Sequence, residues 1–202
     1  MRDNARDSRS LCGDTGRAMS QEPSTAAQAA RERDVLDRLV VRVPSLAGVI
    51  AGGVSRVQPG TSLRRRLINL QVKRVFAAMA RSDVGVVVLS YEPDAEVQME
   101  GMSGVGISDC YRGYEGIRAL YAEVDEAFDD WRWTIRSVVD GGDRIAVRTD
   151  FVAFGRSSGV ETAINNGGTA VRLSARGLAT WQGWFVEQDG WKKALDAVGL
   201  RE

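Results

Sequence analysis

Histidine is missing altogether from these 202 residues. Its absence excludes a Ser-His-Asp triad, a Cys-His nucleophile and any metal centre built on imidazole. Cysteine is scarce. Cys12 and Cys110 make neither a disulfide framework nor a zinc site, so no metal and no cofactor are expected. Charge of one sign is not in surplus either: 27 basic residues balance 27 acidic ones. A dedicated nucleic-acid binder needs a basic excess to meet phosphates, so no nucleic-acid partner is expected. No apolar run approaches the ~20 residues of a membrane span. The N-terminus, Met1-Arg-Asp-Asn-Ala-Arg-Asp7, lacks the apolar core of an export signal. These absences point to a cytoplasmic protein with no membrane partner.

What is present is a chain with 44% hydrophobic and 27% charged residues, enough for one soluble domain and some surplus. Residues 1–24 mix Arg, Asp, Ser, Gly and Thr with almost no large apolar side chain, the composition of a disordered tail. Met19 precedes Ser-Gln-Glu-Pro, which reads as an ordinary protein start, so translation is expected to begin there. Residues 25–60 read as a helical extension. Ala26, Ala27, Ala29 and Ala30 lead into Val35, Leu36, Leu39 and Val40 at helical spacing. Pro44 interrupts, Ser45 can cap a second helix over 46–57, and Pro59-Gly60 ends it. The Gly-rich run in that second helix lacks the Gly-Lys-Ser/Thr ending of a phosphate loop, so it is expected to pack on the main domain or on a partner subunit.

The main domain spans 61–202. Leu67, Ile68, Val72, Val75, Phe76 and Met79 share one helical face. Arg64, Arg65, Arg66, Lys73 and Arg74 mostly fall on the other, and with no aromatic residue among them they read as a solvated face. Asp83 caps a short helix that Glu92-Pro-Asp94 breaks. A strand follows over 95–102 and a short one at 110–112. A helix over 115–129 then presents Ile117, Leu120, Tyr121, Val124 and Phe128. The remainder alternates as strands over 131–139, 144–154, 160–173 and 178–187, with a bulge at Asn165-Asn-Gly-Gly168 and a terminal helix over 190–198. Helices first and a mostly antiparallel sheet afterwards make this α+β.

The order and spacing of several segments carry a resemblance. They are Val72-Lys-Arg-Val-Phe-Ala-Ala-Met-Ala-Arg-Ser-Asp83, Tyr91-Glu-Pro-Asp-Ala-Glu-Val97 and Tyr111-Arg-Gly-Tyr-Glu-Gly-Ile-Arg118, then Asp140-Gly-Gly-Asp-Arg-Ile-Ala-Val147, Gly155-Arg-Ser-Ser-Gly-Val160 and Ala194-Leu-Asp-Ala-Val-Gly-Leu200. Together they resemble the SnoaL-like polyketide cyclases, within the nuclear transport factor 2-like and ketosteroid isomerase-like superfamily. The resemblance implies a cone: a curved sheet with N-terminal helices packed on its concave face, here with an extra helical segment in front. It also implies a homodimer and an interior cavity for a small hydrophobic ligand.

Carried over residue by residue, the resemblance argues against steroid-isomerase chemistry. Met99 stands at the position of the aspartate base, Val75 at that of the first-helix tyrosine, and Thr169 at that of the acidic donor. Arg148-Thr-Asp150 resembles the Arg-x-Asp of limonene-epoxide-hydrolase-like members. Val97, Met99 and Trp184 replace the Tyr, Asn and Asp of that mechanism. Alternation puts Arg148 and Asp150 on one face with Ala146 and Val152. If that face is the concave one, Asp150 is a candidate acid or base and Arg148 a candidate stabiliser of negative charge. If it is the other, the two are a structural ion pair or exposed. Val75, Val97, Met99, Thr169 and Trp184 are the candidate ligand-binding wall, suited to a flat polyketide- or terpenoid-like molecule. Three functions follow: an acid/base enzyme, a non-catalytic binder of an apolar metabolite, or a dimerisation module.

Overall fold

A computed structural model describes residues 33–202. The expected tail, the Met19 start and the first part of the expected 25–42 helix lie outside the described residues. Asp34 caps α1 (Val35–Arg42), its carboxylate accepting the Asp37 amide at 2.6 Å. Helix α2 (Ser45–Ser55) follows with Pro44 at its cap position and no side-chain cap, so the cap expected of Ser45 is not made. Thr61 caps α3 (Ser62–Ala80). Asp83 caps α4 (Val84–Val87), which runs on as a 3-10 turn over Val88–Ser90. Strands β1 (Tyr91–Glu100) and β2 (Cys110–Arg112), helix α5 (Gly113–Ala127), strands β3 (Phe128–Asp140), β4 (Arg144–Gly155), β5 (Glu161–Leu173) and β6 (Ala179–Phe185), and helix α6 (Gly190–Val198) complete the chain.

The six strands lie in the order β2-β1-β6-β5-β4-β3. Among the described residues only the β1–β6 pair is parallel; every other pair is antiparallel. The α+β expectation holds. The start of the first strand departs from expectation. Glu92-Pro93-Asp94 does not break the chain ahead of the first strand but lies within β1. The register against β6 shifts between Tyr91 and Glu96, and β2 pairs only with Glu96, Val97 and Gln98. Pro93 therefore sits in a bulge where the ladder asks for no amide hydrogen.

The sheet has two differently covered faces. On the inner face, Met79 of α3, Val87 of α4, Ile117 and Tyr121 of α5 and Val97, Met99, Phe151 and Trp184 of the strands form the main core. On the outer face, α6 packs Trp191, Ala194 and Val198 against Ala146, Ala170 and Phe185. Gly168 makes that contact possible: a Cβ there would stand 2.5 Å from the Gly190 carbonyl oxygen and 2.7 Å from the Ala194 Cβ.

Buried ion pairs dock the N-terminal helices. Asp37 is buried between Arg74 at 2.6 Å and Arg81 at 2.9 Å, tying α1 to α3. Arg33 reaches both carboxylate oxygens of Asp83 at 2.7 Å. Arg64 is not on a solvated face. It is 1% exposed and forks onto Asp140 at the end of β3. The remaining nitrogen, Nη1, donates to the carbonyls of Val54, Ser55 and Val57, and Nη2, already in the fork, also donates to the Gly142 carbonyl. Helix α2 also rests on the β5–β6 turn at Gly177, whose φ is +73° and whose added Cβ would clash with the Ala51 carbonyl oxygen. Gly177→Ala is expected to lower the unfolding free energy by about 2 kcal/mol, read from urea denaturation, because it combines left-handed strain with a backbone clash.

Candidate functional site

The inner face is built by alternation. In β4, Ile145 and Val147 face inward under α3, and Phe151 continues the row into the main core. In β5, Thr169, Val171 and Leu173 do the same, and in β6, Gln182 and Trp184. Helix α3 closes this surface with Ile68, Val72, Val75 and Phe76.

Aromatic rings fill much of the cone. The rings meet at a tilt, Phe151 and Trp133 at 4.5 Å, Trp133 and Trp184 at 4.7 Å and Trp184 and Phe76 at 5.8 Å between centroids. The row leaves two voids. The larger, about 70 Å³, lies beneath α3 and is lined mostly by aliphatic side chains, with Gln71, Ser90, Thr169 and Gln182 as its polar groups. The smaller, about 30 Å³, lies beyond the tryptophans among Met79, Met99, Met102 and Tyr121. A void of about 10–15 Å³ admits one water, so the larger admits several waters or a small organic molecule. A wide flat ligand would require these rings to move.

The polar handles of the larger void are neutral. Thr169 is 1% exposed, and its hydroxyl makes no hydrogen bond to the described residues. The hydroxyl of Thr149, on the same inner face, is likewise buried and unpaired. The Tyr91 hydroxyl donates to Gln182 Oε1, which leaves the Gln182 amide hydrogens to other acceptors. Burial pushes the Tyr91 phenol well above its ordinary pKa, and does the same to Tyr121 beside the smaller void. Among the described residues, no carboxylate lines either void.

Among the sequence-predicted residues, Val75 and Thr169 line the larger void and Met99 and Trp184 the smaller. Val97 is fully buried in the core between strands. Thr169 stands directly across from Trp184 on β6, and Met99 flanks Trp184 from β1. Arg148 and Asp150 are not with them. Their strand neighbour Ala146 packs under α6, on the outer face, while Ile145 and Val147 take the inner one. The site expected at Arg148 and Asp150 is therefore corrected: the pair lies outside the cone.

Asp150 has a visible occupation there. Thr149 pairs with Gly167 and Phe151 with Ile164, so Asn165 and Asn166 together oppose Asp150 in a bulge. Its carboxylate accepts the Asn166 amide at 3.1 Å and the Arg136 Nε at 2.6 Å. Asn166 needs that anchor, because its φ is +77°. Burial by itself would raise the Asp150 pKa, but the Asn166 amide and the Arg136 guanidinium outweigh it and hold the carboxyl below its ordinary value. A carboxylate so held is a poor proton acceptor at neutral pH.

Gln182, Tyr91, Gln71 and Ser90 are site residues that the sequence reading missed. The signal for Gln182 was its place two residues before Trp184, on the same strand face.

Comparison with known proteins identifies this architecture. The family model of the SnoaL-like domain matches residues 72–183. A search of curated protein sequences finds no match. Solved structures share the fold at low identity. An NTF2-like protein of unknown function from Burkholderia pseudomallei superposes with TM-score 0.54 and 19% identity, over 63% of this chain and 95% of the other. TerC, co-crystallised with polyporic acid, gives TM-score 0.52 and 19% identity over 62% of this chain and 95% of its own. A hypothetical protein of ketosteroid isomerase-like fold from Catenulispora acidiphila, in complex with trimethylamine, gives TM-score 0.50 and 16% identity over 64% and 92%.

Proposed function

The chain belongs to the SnoaL-like domain family, and from the interior of its cone we propose that it holds a small, neutral, mostly apolar molecule bearing one hydrogen-bonding oxygen. The observation that carries this reading is the Thr169 hydroxyl: nearly inaccessible to solvent, on the wall of an apolar void, and without a partner among the described residues. A buried hydroxyl left unpaired costs about 1–3 kcal/mol, which a ligand oxygen offsets by bonding to it. Gln182 supplies a second donor at the same wall. A ketone or ester oxygen accepts from both, while an anion would meet no cation among the described residues that line the void.

The same interior favours binding over acid/base catalysis. Its ionisable groups are phenols whose burial holds their protons, and its carboxylate candidate, Asp150, is outside the cone. That TerC, of similar fold, was co-crystallised with polyporic acid supports a ligand-holding use of this fold, though not that ligand for this chain.

Thr169→Val tests the reading, since it removes the hydroxyl and keeps the shape. The variant is expected to be more stable than the natural protein by about 1 kcal/mol, because the unpaired hydroxyl is gone. It is also expected to bind small cyclic ketones about tenfold more weakly, while cycloalkanes of the same size bind both proteins alike. Ligand-observed NMR and thermal shifts read both effects. Equal ketone binding by the two proteins would remove Thr169 from the site.

A further inference from the structure

The balanced net charge hides a segregation. Residues 33–81, the helical layer, hold ten basic and two acidic residues, while residues 82–202 hold twelve and twenty. The layer thus carries +8 and the rest −8. Both acids of the layer are spent locally: Asp34 caps α1, and Asp37 is buried between Arg74 and Arg81. Arg33 and Arg64 are taken up by Asp83 and Asp140. Arg42, Arg56, Arg65, Arg66 and Lys73 remain exposed, with no side-chain hydrogen bond or ion pair to the described residues.

The same layer exposes aliphatic side chains. Of the nine large hydrophobic residues exposed among the described residues, seven are here: Val35, Leu36, Leu39, Val43, Val49, Leu63 and Leu70. On α1, Val35, Leu36 and Leu39 are exposed, as is Val43 just past its end, beside the buried Asp37 and Val40 that dock the helix. On α3 the outward side reads Leu63, Arg66, Leu70, Lys73, so leucine and cation alternate along one line. Neither helix needs these side chains for its own docking.

We propose that the outer side of α1–α3 is a docking surface for a lipid bilayer with acidic headgroups. Charge complementarity names the headgroups: cations near such a surface each strengthen attachment several-fold. The apolar pattern favours lipid over an acidic protein. A protein partner is typically anchored by aromatic side chains seated in pockets, whereas here single aliphatic side chains stand among cations on convex helices. Side chains so spaced enter the boundary between headgroups and acyl chains, with the guanidinium and ammonium groups level with the phosphates. The arrangement is peripheral: among the described residues no helix is long and apolar enough to cross a membrane.

Vesicle co-sedimentation of the full chain tests the proposal. Binding is expected to vesicles of equal parts phosphatidylglycerol and phosphatidylcholine, and not to phosphatidylcholine alone, with release as added salt shortens the screening length. Replacing three cations together (Arg65→Gln, Arg66→Gln, Lys73→Gln) is expected to weaken binding about a hundredfold. The pair Leu63→Ser and Leu70→Ser, with charge unchanged, is expected to weaken it about tenfold. All five positions are exposed, so unfolding midpoints should stay where they are. Absence of binding to the acidic vesicles overturns the proposal. So does unchanged vesicle binding by the leucine pair together with full displacement by polyglutamate or duplex DNA, which would assign the surface to an acidic macromolecule.

Discussion

Replacing Arg64 with leucine is expected to remove about 3–5 kcal/mol of stability, the range seen when one member of a buried ion pair is lost. Against a typical total of about 5–15 kcal/mol, that is a large fraction. The size follows from what is left behind. Asp140, with a side chain only 12% exposed, would lose both guanidinium contacts and keep only the Gly142 amide at 3.0 Å. The carbonyls of Val54, Ser55 and Val57 would lose the donor that gathers the end of α2 onto the start of α3. Leucine fills part of the volume but bonds none of these groups, and buried acceptors without donors are costly. Arg64→Lys separates charge from geometry. It keeps the cation but loses the planar fork that serves Asp140 and three helix-end carbonyls at once. Its loss of stability should be a substantial part of that of leucine. Urea denaturation gives the magnitude, and a double-mutant cycle with Asp140→Asn gives the coupling. If Arg64→Leu unfolds within about 1 kcal/mol of the natural protein, α2 is not held by this residue.

How far the sequence reveals such features depends on what kind of pattern carries them. Order of elements, strand alternation and turn chemistry are local, and they lead to an α+β domain with a mostly antiparallel sheet, while its closure into a cone is what the family resemblance implies. The phase of an alternation is not local. In β4 the period of two correctly puts Arg148 and Asp150 on one face with Ala146, but choosing the face depends on which side α6 covers. The bulk of Ile145, Val147 and Phe151 on the alternate positions is the better guide, because the helical layer needs large apolar partners and α6 needs small ones such as Ala146 and Ala170. Arg64 is misread for a similar reason. A run of three arginines looks solvated as a run, yet Arg64 precedes Ile68 by one helical turn and shares its buried side. The Asp150 carboxylate looks catalytic by its spacing from Arg148, and its partner proves to be a backbone amide in a bulge on the next strand. The polar wall of the void was reachable in part: Thr169 and Trp184 are across from one another, but the Tyr91–Gln182 contact joins residues 91 positions apart.

Trp184→Ala carries the second large effect and bears directly on what the cone can hold. The indole is 3% exposed and touches Trp133 on one side and Phe76 on the other. Truncation to alanine is expected to cost about 3–5 kcal/mol, the lost transfer energy plus the cavity left by incomplete collapse. It also removes the ring between the two voids, since Phe76 lines the larger and Trp184 the smaller. The merged space is walled by Phe76, Trp133, Phe151 and aliphatic side chains, and an apolar cavity of that kind takes up aromatic solutes. Added indole should therefore restore part of the loss: at ten times its dissociation constant, about 1.4 kcal/mol by mass action. The natural protein, with its own indole in place, should show no such rise in unfolding temperature. Recovery in the variant alone would mean that the curved sheet keeps its shape when its central ring is removed and can enclose a flat apolar molecule there. No recovery, with a stability loss below about 2 kcal/mol, would mean that α3 settles onto the sheet and closes the gap. In that case only molecules small enough for the void at Thr169 remain as ligands of this chain.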